Sequence, residues 1–238
     1  MQEKGENMAA PVREERRLVT ALAADVVGST PLVERLDPEE VRLLLGELIG
    51  RFARAAESLG GTVKDIAGDG LMALFGAPAA HEDDAERAVL AGLQIVEDVR
   101  AYAGEVARAW DVAGLAVRVG VHTGPVVLGP TGVGEGLQHA AFGDTLHTAA
   151  RLQSAADPNT VLVSAATHRL VAQRFEWGDA RTLALKGKEA PVTAHPVLRA
   201  RMGAERTRLR REALTTALHP AAPGGADRRG RPPAPGAA

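Results

Sequence analysis

The chain has 238 residues, and 45% of them are hydrophobic, which predicts about one domain with a sizeable core plus tails. It contains no cysteine, so disulfides and thiolate metal sites are excluded and a reducing compartment is favoured. The beginning of the chain lacks the apolar stretch of a signal peptide, and no run of about 18 apolar residues predicts a membrane span. We therefore expect a soluble, cytoplasmic protein.

The net charge of −2 conceals an asymmetry between the domain and its C-terminal tail. Residues 199–238 hold nine arginines and three acids, which leaves 19 basic and 27 acidic residues in 1–198, a balance of −8. The tail is rich in Ala, Pro and Gly, a composition that buries too little apolar area to fold. We expect disordered tails at 1–16 and 199–238 around a domain at 17–198. Nucleic-acid binding by the basic tail is not favoured, because it has no aromatic residue for stacking.

Hydrophobic periodicity divides the domain into short strands and amphipathic helices. The first predicted elements are a strand at 18–24, a helical segment opening at 28–30, and a helix from 37 to 60. They are followed by a hairpin of 62–63 and 71–75, a helix at 82–108, and a strand pair of 115–121 and 125–128 around His122-Thr123-Gly124. The last are a helix at 145–154 and strands at 161–163, 175–177 and 192–197. This order predicts an α+β sandwich with helices on a mostly antiparallel sheet.

Two aspartates stand where predicted strands end. Asp25 follows the first strand, and Asp69 lies at the tip of the hairpin that Asp69-Gly70 predicts. If the two strands are neighbours, the carboxylates converge, as two-metal phosphoryl chemistry requires. Backbone amides at 28–30 would then suit a triphosphate. Taken singly, either aspartate is more simply explained as a turn former or as an acid near a helix start.

The motifs around these aspartates resemble the catalytic domain of class III adenylate/guanylate cyclases, in the family's order and over about residues 17–198. The matching segments are 19–30, 60–63, 68–78, 81–88, 118–124, 142–145, 149–151 and 185–188. The resemblance implies a ferredoxin-like, palm-like core. It also implies conversion of a nucleoside triphosphate, ATP being favoured, to the 3′,5′-cyclic monophosphate and pyrophosphate.

The resemblance further implies roles for individual residues. Asp25 and Asp69 would bind two divalent cations, Mg²⁺ or Mn²⁺, with help from the backbone carbonyl of Val26. Arg151 would stabilise charge on the α-phosphoryl group in the transition state. The expected nucleotide-binding positions are Val27, Gly28, Ser29, Thr30, Arg118 and Lys186, with Lys188 nearby.

Three positions depart from the family pattern. Asp65 stands where these cyclases have an adenine-reading lysine; Lys64 is adjacent but falls on the opposite strand face by the period of two. Ala140 stands where the lysine's aspartate or threonine partner lies, and His147 replaces an asparagine. Ionised Asp65 cannot donate a hydrogen bond and Ala140 has no polar side chain, whereas His147 can donate as asparagine does.

In the family each active site forms between two chains, one contributing the metal ligands and the other the base, asparagine and arginine contacts. Three interpretations therefore stay open. The chain is a homodimeric cyclase with relaxed or unusual base choice, or the metal-donating half of a heterodimer with another cyclase-like chain. Alternatively, it is a nucleotide-binding or regulatory domain without turnover.

Overall fold

The computed structural model of the chain describes residues 15–29, 36–110, 113–131, 138–184 and 190–201. Within these residues nine strands form one sheet. The strands are β1 (Glu15–Val27), β2 (Thr62–Ala67), β3 (Gly70–Phe75), β4 (Ala116–Thr131), β5 (Gln138–Phe142), β6 (Thr160–Ser164), β7 (Phe175–Trp177), β8 (Arg181–Leu183) and β9 (Val192–Ala200). The helices are α1 (Pro38–Ser58), α2 (Asp84–Trp110), α3 (Asp144–Ala155) and α4 (Ala165–Val171).

The sheet is largely antiparallel, as the sequence predicts. Its main path runs β2-β3-β1-β4-β6-β9-β7, while β5 pairs with the far end of β4 and β8 pairs with β9. Among the described strands only β4 and β6 run parallel. β1 and β4 are paired from Glu15↔Leu128 to Val27↔Ala116, the whole length of β1. This long pairing forms the centre of the domain.

β1 is buried on both faces, which explains its continuous apolar sequence. Alternate residues point to two cores: Leu22, Ala24 and Val26 join the larger one with α1 and α2, and Val19, Ala21 and Ala23 join a smaller one with α3. Helices therefore cover both faces of the sheet. The predicted α+β sandwich is confirmed.

α1 begins and ends close to where the sequence predicts. Pro38 occupies its first turn, and the backbone N of Asp37 donates to Glu40 Oε2 at 3.1 Å. The helix ends at Ser58, just before Gly60, which has φ 80°. A glycine with a left-handed φ at this position is a common way for a helix to stop.

The strand pair predicted around His122-Thr123-Gly124 is wrong. β4 runs through these residues without a turn, and its hairpin partner is β5. The reason is that β1 is long enough to pair with both halves of β4 and hold them in line. Gly124 does not form a turn; it leaves space for a neighbouring residue, since a Cβ there would lie 2.6 Å from Thr145 Oγ1. Glycine at this position lets the start of α3 approach the sheet.

Three described elements were not predicted, namely β5, α4 and β8. The sheet also passes the expected domain limits of 17 and 198, since β1 starts at Glu15 and β9 ends at Ala200. Residues 1–14 and 202–238 of the expected tails lie outside the described residues. Across the part of the chain that is described, no helix has the length and apolar character of a membrane span.

Candidate active site

Asp25 and Asp69, called the aspartate pair below, meet at one end of the sheet. Asp25 is near the end of β1, opposite Arg118 of β4. Asp69 lies in the two-residue turn between β2 and β3, where Gly68 takes a left-handed φ of 61° that glycine adopts without strain. The backbone N of Val26 donates to the carbonyl O of Asp69 at 3.3 Å. This hydrogen bond ties the turn to β1.

The carboxyl groups of the aspartate pair are close enough to share a hydrogen bond. Partial burial raises the pKa of Asp25, and the charge of Asp69 and the shared hydrogen bond raise it further. The Arg118 guanidinium and the Gln153 amide lower this pKa without cancelling the rise. Two carboxylates this close repel each other when both are ionised, and a divalent cation would relieve that repulsion.

Gln153 is a member of this site that the sequence motifs did not indicate. It lies in the last turn of α3, is 8% exposed, and donates from Nε2 to Asp25 Oδ2 at 3.4 Å. α3 can come this close because Gly120 of β4 has no side chain. A Cβ there would stand only 2.2 Å from the backbone N of Gln153. One signal could have revealed it: a polar side chain on the buried face of an amphipathic helix needs a hydrogen-bond partner.

Arg118 brings positive charge to the aspartate pair from the neighbouring strand. Its Nε is buried and has no hydrogen-bond partner among the described residues. A buried donor left unpaired is unfavourable, and a phosphate oxygen would satisfy it. The position of Arg118 therefore fits the phosphate-binding role that the resemblance implies.

α3 turns Arg151 away from the aspartate pair of its own chain. Arg151 and Gln153 are two residues apart, which separates them by about 200° around a helix, while His147 shares the face of Arg151. Arg151 Nη1 is buried and lies 3.7 Å from Asp144 Oδ1. It has no hydrogen-bond partner among the described residues. His147 is exposed. In the described part of the chain, neither side chain bonds to the aspartate pair.

The expected base-reading positions are far apart within one chain. Asp65 is exposed on the edge strand β2, whereas Ala140 lies on β5, where it pairs with Gly129 of β4. Three strands, β3, β1 and β4, lie between them. Strict alternation does not hold at Lys64, because the register shifts between Val63 and Asp65 and leaves Lys64 at a bulge.

The expected phosphate-binding loop follows Asp25 directly. Val27 ends β1, Gly28 turns the chain with φ 81°, and Ser29 is half-buried. A left-handed φ at Gly28 redirects the backbone immediately after the strand that carries Asp25. Thr30, Lys186 and Lys188 lie outside the described residues.

The donor set suits cations that arrive with a phosphate ligand. The ranges that the structure describes contain no cluster of three or more His, Asp or Glu side chains arranged to hold a metal ion. The aspartate pair and the carbonyl of Val26 are hard oxygen donors, which Mg²⁺ and Mn²⁺ prefer. Magnesium is usually held by one or two carboxylates together with substrate phosphates.

Solved structures of cyclases share this fold. The adenylyl cyclase CyaB from P. aeruginosa superposes with a TM-score of 0.76 at 26% identity, covering 80% of this chain and 98% of that one. The guanylyl cyclase Cya2 gives a TM-score of 0.74 at 30% identity, covering 79% of this chain and 95% of that one.

Two curated relatives come from Rhizobium meliloti (strain 1021). Adenylate cyclase 1 is 35% identical over 138 residues, 58% of this chain and 21% of its own length. An uncharacterized protein is 37% identical over 193 residues, 81% of this chain and 18% of its own length. The chain thus spans about a fifth of the length of these relatives.

A family model, the adenylate and guanylate cyclase catalytic domain, matches residues 12–197. The match covers nearly all of the sheet and its helices, from β1 into β9. It therefore confirms the resemblance drawn from the motifs, and the chain belongs to the family of class III adenylate/guanylate cyclase catalytic domains.

Proposed function

We propose that the chain is a nucleotidyl cyclase, which converts a nucleoside triphosphate to the 3′,5′-cyclic monophosphate and pyrophosphate, with ATP the favoured substrate. The observation that carries this proposal is the aspartate pair. Its carboxyl groups lie together beside Arg118, in a domain of the cyclase family.

The metal-binding half of the site would be supplied by one chain. The aspartate pair and the carbonyl of Val26 would hold two divalent cations, Mg²⁺ or Mn²⁺. Such cations activate a hydroxyl nucleophile, here the ribose 3′-hydroxyl, and neutralise charge on the triphosphate. Arg118, whose Nε lacks a partner among the described residues, would bind phosphate oxygens together with Lys186 and the backbone of 27–30.

A second copy of the chain would complete the site. Because Gln153 contacts Asp25 and Arg151 lies on the other side of α3, Arg151 is available to another chain. In a head-to-tail homodimer, Arg151 of one chain would face the aspartate pair of the other and stabilise charge on the α-phosphoryl group. His147 would donate a hydrogen bond where the family has asparagine.

Asp65 and Ala140 favour a second candidate function. Neither can make the hydrogen bonds expected of the adenine-reading pair, so the base-reading half departs from the family pattern. The second candidate is a weak or inactive cyclase domain that binds nucleotide for regulation, or pairs with a different cyclase-like chain that supplies base recognition.

Product analysis tests these proposals. The purified full chain is incubated with ATP, GTP, CTP or UTP and Mg²⁺ or Mn²⁺, and products are identified by mass spectrometry. We expect a cyclic monophosphate as product. Asp25→Asn and Asp69→Asn should each lower the rate of its formation by more than 10- to 100-fold, the loss typical when only a hydrogen-bond partner of a metal ligand is removed. Asp179→Asn, in an exposed loop, is the matched control and should keep activity. Nucleotide binding without any product would favour the second candidate.

A further inference from the structure

We infer that Gln153 is a positioning residue of the metal site, whose side-chain amide holds the Asp25 carboxylate in the orientation that binds the cation. The inference rests on the proposed function, because it requires a cation at the aspartate pair. It also assigns a role to the inward face of α3, the helix that carries Arg151 on its other side.

The amide of Gln153 has a defined orientation. Its Nε2 donates to Asp25 Oδ2 at 3.4 Å, and its Oε1 accepts from Ser154 Oγ at 3.2 Å. An ionised carboxylate can only accept hydrogen bonds, so the NH₂ end must face Asp25 and the carbonyl end must face the hydroxyl. The carbonyl end shares the single Ser154 hydroxyl proton with the backbone carbonyl of Ala150, 3.1 Å from Oγ, so the bond to Asp25 is the one specific to the amide.

The backbone that carries this amide is fixed against the sheet. A Cβ at Gly120 would stand 2.2 Å from the N of Gln153 and 2.3 Å from the O of Ala149, so nothing separates α3 from β4 here. β4 in turn pairs with β1 at Arg118↔Asp25. The donor and its acceptor are thus held by directly packed elements, although they are far apart in sequence.

The Asp25 carboxylate lies over Gly70 of β3. A Cβ at Gly70 would stand 3.0 Å from Asp25 Oδ1, so the oxygen occupies space that a side chain would crowd. With Oδ1 over Gly70 and Oδ2 accepting from Gln153, the hydrogen bond from Gln153 is the contact that orients the carboxylate. Partners that fix a metal ligand in this way raise metal affinity.

The position of Gln153 also links two active sites of the proposed homodimer. Gln153 holds the aspartate of its own chain, and the opposite side of the same helix presents Arg151 to the other chain. A shift of α3 would move both side chains together. Each chain's metal ligand is therefore coupled to the arginine that it contributes across the interface.

Manganese affinity tests the inference without requiring turnover. Gln153→Met keeps the side chain's length but removes the donor. We expect it to weaken Mn²⁺ binding by about tenfold in an electron paramagnetic resonance titration of the full chain with 3′-deoxy-ATP, which supplies the phosphate ligands and cannot be cyclised. Gln94→Met is the matched control, because Gln94 donates to Asp98 Oδ1 at 2.7 Å on α2, away from the aspartate pair. It should leave Mn²⁺ affinity unchanged. If Met at this position unfolds the chain, Gln153→Leu removes the same donor.

The outcomes separate this inference from the proposed function. Wild-type protein that binds Mn²⁺ no better than Asp25→Asn overturns both. Wild-type protein that binds Mn²⁺ through Asp25, with equal affinity in a folded Gln153→Met variant, overturns the inference alone.

Mixed dimers distinguish positioning from general packing. When Asp25→Asn and Arg151→Ala chains are combined, the one complete site takes its aspartate pair from the Arg151→Ala chain. Adding Gln153→Met to that chain should lower the recovered activity about tenfold. Adding it to the Asp25→Asn chain should lower activity much less, because Asp25 is already absent there. Equal losses from both placements would show that Gln153 only supports α3, and would overturn the inference.

Discussion

The metal-binding half and the base-reading half of the candidate site are built differently. The aspartate pair, Arg118 and Gln153 come from adjacent strands and a closely packed helix, and they interact within one chain. Asp65 and Ala140 are separated by three strands of the same sheet. The comparison teaches that one chain groups the candidate metal ligands, while it leaves the expected base-reading positions on separate strands.

The largest expected effect tests this division between chains. Asp25→Asn and Arg151→Ala should each abolish turnover, because every homodimeric site then lacks one essential group. Mixing the two variants should restore about a quarter of wild-type activity, since half of randomly paired dimers are mixed and each has one intact site of two. Activity is measured as cyclic nucleotide formed after subunit exchange.

A matched mixture shows whether recovery is specific. Asp25→Asn combined with Asp69→Asn should recover nothing, because both residues belong to the same half of the site. Absence of recovery in the first mixture, with mixed dimers verified by native mass spectrometry, would contradict the proposed arrangement.

The metal-binding half was largely predictable from sequence, because its signals are local. A buried strand followed by Asp25, and a glycine-flanked turn carrying Asp69, are each recognisable within a few residues. Gln153 was not predictable in this way, since its contact with Asp25 spans 128 positions along the chain. Only the packing of α3 on Gly120 brings the two together.

Local patterns also failed where pairing with a neighbouring strand overrides them. His122-Thr123-Gly124 has the composition of a turn, but β1 pairs with β4 on both sides of it and keeps the strand extended. Alternation failed at Lys64 because one extra residue enters the strand as a bulge. The base-reading half contains such a position, which is why its geometry could not be inferred from the period of two.

An intermediate effect is expected from the base-reading half. With Asp65 and Ala140 in place, an active enzyme should discriminate weakly between ATP and GTP, because few polar groups are left unpaired by the wrong base. The double variant Asp65→Lys with Ala140→Thr should raise the ratio of cyclic AMP to cyclic GMP by roughly tenfold. The two products are quantified from an equimolar mixture of ATP and GTP.

Changes in the metal-binding half serve as the control for base choice. Gln153→Met should lower total product without changing the ratio of the two cyclic nucleotides. A strong ATP preference in the wild-type enzyme would refute this prediction, and Lys64 and His139 would then be the first residues to test as base readers.

The smallest expected effect is on stability, and it distinguishes the crowded Asp25 from the exposed Asp65. Burial and the neighbouring Asp69 raise the pKa of Asp25, so ionising this carboxyl group is less favourable in the folded state than in the unfolded chain. Ionisation of Asp25 therefore lowers the free energy of unfolding. This loss is absent below the ordinary pKa of 3.8 and grows as the pH rises through the raised pKa of the folded state.

Asp25→Asn should consequently raise the melting temperature of the metal-free protein at pH 7 by a few degrees, with little gain near pH 3.5. Asp65→Asn should change it at neither pH, because that side chain is exposed. Saturating Mn²⁺ should reverse the order at pH 7, since binding stabilises only the protein that retains its ligand. Melting is measured by circular dichroism. A metal-free Asp25→Asn variant that melts below wild type at pH 7 would show that repulsion between the two carboxylates does not destabilise the metal-free protein.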